Sequence, residues 1–339
     1  MLAKLTAWLE ELNLAQHQSA LVKHGFEDID DYQTFDEKAI ATFRSALEGE
    51  QVPSGHIDKL VRAIKKRASD YAAVAQAPEE LALINRENFV LPSLAASIAQ
   101  WRKRLATGMG VQIIKGLPTR EPMEWVRRAY WGLGHHLGEP GAQNPQQELL
   151  GEVRDYREDD PNVRLYRTPH NINLHCDAAD VVGLLCLQTA VRGGHSRIVS
   201  TVTLFNELMG ERPDLVAALF DRFKLDSRGE RPEGALPYSE PLPCCFDGDM
   251  LRTFYHSDYM RSVSRHAGVT VSSEQQQILD FYDDRGARPD FYFDMPLEPG
   301  DIQLLSNHTV AHARTAYQDS AEQQRHLLRL WLSLSQSSR

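Results

Sequence analysis

The chain has 339 residues, a formal net charge of −10 and 42% hydrophobic residues, which is the composition of an ordinary globular protein of two domains or one large domain with an appendage. The acidic balance argues against nucleic acid or an anionic membrane surface as a partner. We also find no apolar run of transmembrane length and no signal peptide. The four cysteines have no zinc-site spacing, which predicts a reducing, cytoplasmic compartment.

The first seventy residues predict a bundle of short helices. The clearest helix runs from Ser54 to about Tyr71, where apolar residues recur at helical spacing and basic residues lie mostly on the other face. Ser54 is placed to be its N-cap. Apolar clusters around Trp8 and Phe26 predict further helices upstream.

This region resembles a sterile alpha motif (SAM) domain, over roughly residues 5–70. The resemblance rests on "WLEELNLAQHQSALVKHGFEDIDDYQTF" and on "SGHIDKLVRAIKKR", and it weakens in the stretch between them. It implies a small all-α domain, residues 1–70, that acts through homo-oligomerisation or a protein partner. The Ala-, Val-, Gln- and Pro-bearing stretch that follows predicts a linker, residues 71–84.

The remaining residues, 85–339, predict a second domain that is mainly β with helices. Helices are expected over 92–105 and 123–133, with a strand over 111–115 between them. From Val163 onward, short strand-like runs alternate with Gly- and Pro-bearing turns, from "VRLYRT" to "RHLLRLWLSLS". Many short strands with turn signals are typical of an all-β sandwich or barrel.

A pair of candidate metal ligands lies in "NINLHCDAAD". His175 and Asp177 stand two residues apart, so on a strand both side chains point to the same face, whereas Cys176 points away. Two histidines and one carboxylate on one face suit iron(II) and leave positions open for other ligands. The pair alone is a weak signal and requires a distant third ligand.

The C-terminal stretch "EPGDIQLLSNHTVAHARTAYQDSAEQQRHLLRLWLSLS" contains histidines that could supply this third ligand. It resembles the signature of the taurine dioxygenase (TauD/TfdA-like) family of iron(II)/2-oxoglutarate oxygenases. The resemblance continues through "GGHSRIVST" and "NINLHCD" to "VQIIKGLP", over roughly residues 85–339. It implies a double-stranded β-helix (jelly-roll) core, with iron(II), 2-oxoglutarate and O2 as reactants.

Carried over residue by residue, the resemblance implies that His175, Asp177 and His312 ligate iron. Arg325 would pair with the distal carboxylate of 2-oxoglutarate, for which a planar guanidinium is well suited. Ser196 takes the place of a family Thr that donates to the same carboxylate. His308 is the alternative to His312 as ligand, but the family register favours His312.

The substrate contacts are less well marked in the sequence. Arg329, four residues after Arg325, contacts anionic substrates in some relatives and would otherwise support Arg325. The other candidates are polar side chains close to the ligands or on flanking strands and loops, namely Asn171, Asn173, Tyr166, Tyr255 and Asn144.

The resemblance therefore implies an oxygenase that hydroxylates or desaturates a small polar or anionic metabolite and releases succinate and CO2. The presence of Asp177 favours these outcomes, since related halogenases have a small residue at that position. The alternative is a non-catalytic metal-binding scaffold or sensor assembled through the SAM-like domain. A different metalloenzyme on a similar β scaffold is disfavoured by Arg325, Arg329 and the Gly-Gly-x-Ser segment.

Overall fold

The computed structural model describes residues 1–144, 146–158, 163–231 and 233–334. The chain divides into two compact units, Met1–Ala99 and Gln100–Arg339. Its α-helices are α1 (Leu2–Glu11), α2 (Gln18–Lys23), α3 (Glu37–Gly49), α4 (Ser54–Gln76), α5 (Ala95–Thr107), α6 (Met123–Leu137), α7 (Thr201–Glu211), α8 (Ser257–Ser262) and α9 (Ser273–Gly286).

Short 3-10 segments lie at Ala15–His17, Asp31–Thr34, Leu81–Leu83, Leu165–Arg167, Pro213–Phe220 and Val263–Arg265. The strands are β1 (Val111–Ile114), β2 (Glu139–Gly141), β3 (Gly151–Val153), β4 (Ile172–His175), β5 (Val181–Gln188), β6 (Arg192–Gly193), β7 (Ser196–Ser200), β8 (Leu225–Asp226), β9 (Tyr238–Ser239), β10 (Cys244–Asp247), β11 (Met250–Thr253), β12 (Tyr292–Met295), β13 (Ile302–Ser306), β14 (Val310–Arg314), β15 (Tyr317–Gln318) and β16 (His326–Ser333).

The first unit is helical, and its core contains the apolar residues that the helical spacing selects. Ile57, Leu60 and Ile64 are fully buried there, and the Trp8 ring packs edge-on against another buried aromatic ring. Burying each such side chain contributes roughly 1.5–3 kcal/mol.

The longest helix of this unit differs at both ends from the sequence prediction. Pro53 is the N-cap residue of α4 and Ser54 is already helical, without a side-chain capping bond. The helix continues to Gln76, with Val74 buried, so the predicted linker over 71–84 is wrong in its first residues. Tyr71–Gln76 contain no Gly or Pro, and nothing there stops the helix until Pro78.

The second unit mixes helix and antiparallel sheet. Within its described residues, a six-stranded sheet has the order β1-β13-β5-β16-β2, with β3 also paired to β16. A four-stranded sheet has the order β12-β7-β14-β4. Residues from both sheets share an apolar cluster of Val182, Leu305 and Val310, with Ile198 and Trp331 packed against it.

The opposite face of the four-stranded sheet is covered by helices. Leu174, Val199 and Ala311 on the strands belong to one buried cluster with Leu204 of α7 and Leu279 of α9. Strand side chains alternate between the two faces, so His312 and Arg314 on β14 point away from these helices. The site described below therefore forms on the face that looks toward the other sheet.

Two local predictions after Val163 differ from the structure. The run "VRLYRT" forms a 3-10 turn at Leu165–Arg167 rather than a strand. Helix α9 was not predicted, because its residues are mostly polar, although Ser272 and Gln275 form a capping box at its start. In the described part of the chain, no helix has the length and apolar character needed to cross a membrane.

Candidate active site

Three side chains far apart in the sequence meet between the two sheets. His175 ends β4, Asp177 follows two residues later, and His312 lies on β14, directly opposite His175 in the strand register. One ligand atom from each residue lies within 4.8 Å of the other two. The imidazole rings of His175 and His312 are 4.1 Å apart between centroids. These are the three residues named from the sequence as iron ligands.

The protonation state of the cluster suits a cation. The Nδ1 of His175 lies 2.9 Å from the Asn173 carbonyl oxygen, so it acts as donor there and leaves Nε2 available as a ligand. Burial and the neighbouring His175 lower the pKa of His312 to about 3, which keeps its imidazole neutral. Burial would raise the pKa of the Asp177 carboxyl, but Arg329 and the two histidines outweigh it and hold the pKa below its usual range.

The backbone around Asp177 is fixed by residues that the sequence reasoning missed. The amide of Asp177 donates to Oδ1 of Asn307 at 2.9 Å, and Asn307 lies in the turn between β13 and β14. His308 lies outside the ligand cluster and pairs with Asp180 at 2.7 Å. Cys176 is buried on the opposite face, where burial raises the pKa of its thiol to about 12.

A second group of buried polar residues lies beside Tyr317. The guanidinium carbon of Arg325 is 5.2 Å from the centre of this ring, and that of Arg314 is 4.9 Å from it. Both arginines are 5% exposed, and burial lowers the pKa of each. The buried Nη1 atoms of Arg325 and Arg314 have no hydrogen-bond partner among the described residues. Buried, unsatisfied guanidinium N–H groups are costly and suit an incoming carboxylate.

Ser196 lies at the start of β7, paired in register with Arg314 of β14. Its hydroxyl donates to Oε1 of Gln303 at 2.9 Å, and both side chains are buried. Gly194, two residues earlier, has a φ of +72° and brings its backbone against the Arg325 side chain. The segment that carries Ser196 therefore passes directly beside Arg325. Arg314 and Gln303 are further polar residues of this region that the sequence reasoning missed.

Of the predicted substrate contacts, Asn173 and Arg329 lie next to the metal cluster, and Asn171 contacts Asn173. Asn173 shares a strand face with His175, and its amide bonds Asp258 at 2.8 Å. Asn171 donates to Asn173 at 2.9 Å. Arg329 places Nη1 3.9 Å from Oδ1 of Asp177 and donates from Nε to Gln143 at 2.7 Å.

Of the remaining predicted substrate contacts, Tyr166 lies near the metal cluster, whereas the polar groups of Asn144 and Tyr255 are hydrogen-bonded to other residues. The Tyr166 ring lies 4.5 Å below the guanidinium carbon of Arg329. Asn144 exchanges hydrogen bonds with Glu148 within its own loop. Tyr255 is 3% exposed, and its hydroxyl donates to Asp283 of α9 at 2.7 Å. The predicted substrate contact of Tyr255 is therefore wrong, because its side chain packs in the core between sheet and helices.

His256, the residue after Tyr255, is a neighbour of the metal cluster that was not predicted from the sequence. The His256 ring lies 5.1 Å from that of His175, and the two residues form an isolated β-bridge. On its other side, His256 stacks on Tyr259 at 3.9 Å with an interplanar angle of 13°. Burial and His175 lower its pKa well below the usual value, so this imidazole is neutral.

Comparison with known proteins agrees with this geometry. Residues 70–331 match the model of the taurine catabolism dioxygenase TauD, TfdA family. The chain belongs to this family. It is accordingly an iron(II)- and 2-oxoglutarate-dependent dioxygenase, with a cluster of two histidines and one aspartate of the kind that binds iron.

Individual relatives cover most of the chain. FR-33289 synthase of Streptomyces rubellomurinus is 30% identical over 260 residues, spanning 74% of this chain and 77% of that protein. A structure of asparagine oxygenase in complex with Fe(II), 3-hydroxyasparagine and succinate superposes with a TM-score of 0.57 at 17% identity, covering 71% of this chain and 79% of that one. The non-heme iron oxygenase OrfP in complex with Fe and alpha-ketoglutaric acid gives 0.52 at 12% identity, covering 79% and 86%. These two structures share the fold of this chain.

Proposed function

We propose that His175, Asp177 and His312 bind iron(II), and that Arg325 and Ser196 hold the distal carboxylate of 2-oxoglutarate. The enzyme would use O2 to hydroxylate or desaturate a small polar or anionic metabolite and release succinate and CO2. The observation that carries this proposal is the convergence of two imidazoles and one carboxylate within 4.8 Å, between two sheets that also bury Arg325.

The donor set fits a ferrous ion. The imidazole of His312 can bind without first losing a proton, and the ionised Asp177 supplies one negative charge. The Nη1 atom of Arg325 is buried without a hydrogen-bond partner among the described residues, which fits a carboxylate ligand at that point. Iron bound here would supply the activation of O2 and the oxidation of the substrate.

The protein residues supply position and protection. Asn173 fixes the ring of His175 through its backbone carbonyl, and Asn307 fixes the turn that carries Asp177. Asn171, Asn173, Tyr166 and Arg329 remain proposed substrate contacts, and Asn144 is the weakest of the set because its amide is engaged with Glu148. Arg329 would also hold the charge of Asp177 in place.

The two antiparallel sheets support a double-stranded β-helix core for residues 85–339. For the N-terminal unit we propose a SAM-like domain that self-associates or binds a protein partner. Its apolar core of short helices supports the idea. Light scattering of the full chain over a range of concentrations tests it, and a strict monomer would remove self-association. The cytoplasmic location expected from the cysteine content stays a prediction.

The visible spectrum under anaerobic conditions tests the catalytic proposal. Iron(II) followed by 2-oxoglutarate should give a charge-transfer band that requires both additions. We expect Asp177→Ala to weaken the band, because one iron ligand is lost, and Arg325→Ala to need far more 2-oxoglutarate to form it. A folded, iron-loaded protein that gives no band would refute the proposal and favour a metal-binding scaffold.

A further inference from the structure

Arg314 is a buried arginine to which neither the metal cluster nor the proposed contacts of 2-oxoglutarate assign a role. It lies on β14 two residues after His312, so both side chains point to the face of the sheet on which the metal cluster forms. The Cα atoms of the two residues are roughly 6.5 Å apart along the strand. This spacing matches the length of 2-oxoglutarate, which would chelate iron at one end and carry its distal carboxylate at the other.

The two residues proposed to hold that carboxylate are neighbours of Arg314. Ser196 is its register partner on β7, and residues directly opposite each other in an antiparallel pair point to the same face. The guanidinium carbons of Arg314 and Arg325 lie 4.9 and 5.2 Å from the centre of the same Tyr317 ring. Burial, and after it the positive charge of Arg325, lower the pKa of Arg314, which indicates that the two guanidinium charges interact.

One nitrogen of the Arg314 guanidinium is already engaged, and this fixes the direction of the others. Its Nη2 donates to the carbonyl oxygen of Thr168 at 2.8 Å and to that of His170. Its Nε and Nη1 atoms are buried and have no hydrogen-bond partner among the described residues. Because the guanidinium is planar and rigid, the bonds of Nη2 hold Nη1 in place before a ligand arrives, which lowers the entropy lost on binding.

In the part of the chain that the structure describes, no carboxylate forms an ion pair with Arg314 or Arg325. The acidic groups that act on them from a distance are bonded to backbone amides. Asp155 accepts from an amide of its own loop at 2.9 Å, and Asp319 accepts from the amide of Arg325 at 2.9 Å. Buried N–H groups without an acceptor are costly, so the two side chains favour an anion that offers several acceptor positions. A carboxylate offers about four.

We propose that Nη1 of Arg314 donates to the distal carboxylate of 2-oxoglutarate, so that two arginines and Ser196 hold this end of the co-substrate. The inference adds a binding residue to the proposed function and rests on it, because it assumes that the distal carboxylate lies beside Arg325. Arg314 then contributes to the preference for a keto acid with a second carboxylate over one without it.

The test uses the full chain loaded with iron(II) under anaerobic conditions. Titration of the charge-transfer band to saturation measures the Kd of 2-oxoglutarate and of 2-oxopentanoate, which has the same carbon chain with a methyl group in place of the distal carboxylate. The variants are Arg314→Gln and Arg314→Lys. The matched control is Arg285→Gln, because Arg285 also has a buried Nε without a hydrogen-bond partner in the described chain but lies on α9, against the other face of the sheet.

We expect Arg314→Gln to raise the Kd of 2-oxoglutarate about tenfold or more, because one charge-assisted hydrogen bond is lost. Its Kd for 2-oxopentanoate should equal that of the wild type, since a methyl group accepts no hydrogen bond. Arg314→Lys keeps the charge without the planar fork, and its Kd for 2-oxoglutarate should fall between the two. Arg285→Gln should bind both keto acids as the wild type does.

Equal affinities of Arg314→Gln, Arg285→Gln and the wild type for 2-oxoglutarate would overturn the inference. An equal loss for both keto acids in Arg314→Gln would overturn it too, because that result shows that Arg314 only supports the fold of the site. A wild-type protein that gives no band with 2-oxoglutarate refutes the iron and 2-oxoglutarate site itself, so the two failures are distinguishable. If Arg314→Gln does not fold, the two Kd values of Arg314→Lys decide the question, with thermal unfolding as the control for its folding.

Discussion

Substituting Gly194 by alanine should weaken the binding of 2-oxoglutarate without replacing any side chain that is proposed to contact it. Gly194 has a φ of +72°, and a Cβ atom there would lie 2.8 Å from both Cδ and Nε of Arg325. It would also lie 3.3 Å from Cβ of Tyr317. Since these atoms belong to the middle of a buried side chain, the whole guanidinium has to move to relieve the contact.

The size of the effect has two parts. A left-handed alanine costs about 1–2 kcal/mol in stability at any exposed position. Restoring an ordinary contact of 3.4 Å requires a shift of about 0.6 Å in Arg325. A shift of that size should remove roughly one charge-assisted hydrogen bond, about 1.5 kcal/mol, or about tenfold in the Kd for 2-oxoglutarate.

Gly248 supplies the matched control. It has a φ of +58°, lies in the turn between β10 and β11, and has nothing within 4 Å of its added Cβ. Gly248→Ala should therefore lose stability by a similar amount and bind 2-oxoglutarate normally. Anaerobic titration of the charge-transfer band measures Kd, and thermal unfolding measures stability. Equal Kd values for Gly194→Ala, Gly248→Ala and the wild type would refute the assignment of Arg325.

Three further outcomes are expected from the contacts described above. Asp177→Ala should reduce iron(II) affinity by about a hundredfold or more in equilibrium dialysis. Asp180→Ala is the control, because the Asp180 carboxylate lies outside the cluster, and it should bind iron(II) as the wild type does. Equal iron(II) affinities of the two variants would exclude Asp177 as a ligand. Tyr255→Phe should lower the free energy of unfolding in urea by about 1–2 kcal/mol, because the hydrogen bond to Asp283 is lost. A fall in substrate affinity at unchanged stability would instead show that Tyr255 contacts the substrate. Burial raises the pKa of Asp70 from 3.8 to about 6, so its contribution to stability is complete below pH 4 and is lost as the pH rises through 6. Because Asp70 is partly exposed, Asp70→Asn should gain under about 1 kcal/mol over the wild type between pH 4 and 7, and parallel pH profiles of urea unfolding would contradict this.

The metal cluster could be predicted from two kinds of signal: the local spacing of His175 and Asp177, and the resemblance to a family for His312. His175 and Asp177 share a face by strand alternation alone, whereas the pairing of His175 with His312 depends on how β4 and β14 align. Only the resemblance to a family supplied that alignment. His308, four residues earlier, lies in the turn between β13 and β14 and not on a strand, and no local residue pattern marks this difference from His312.

The substrate side was less predictable because it depends on loops and on the direction of individual side chains. Tyr255 and His256 are adjacent in sequence, yet one side chain enters the core and the other stacks against His175 and Tyr259. No pattern of residue types distinguishes the two. Tyr166 likewise lies in a run that resembled a strand and in fact forms part of a 3-10 turn, so its neighbours could not be inferred from alternation.

The direct pairing of His175 with His312 has a consequence for the lifetime of the protein. Iron bound by both residues would cross-link two neighbouring strands whose sequences lie far apart, as a disulfide does, and would have to dissociate before β4 could separate from β14. At a free iron concentration of a hundred times Kd, such binding stabilises the folded state by about 2.7 kcal/mol. We therefore expect a cell short of iron to lose this protein to proteolysis as well as to lose its activity.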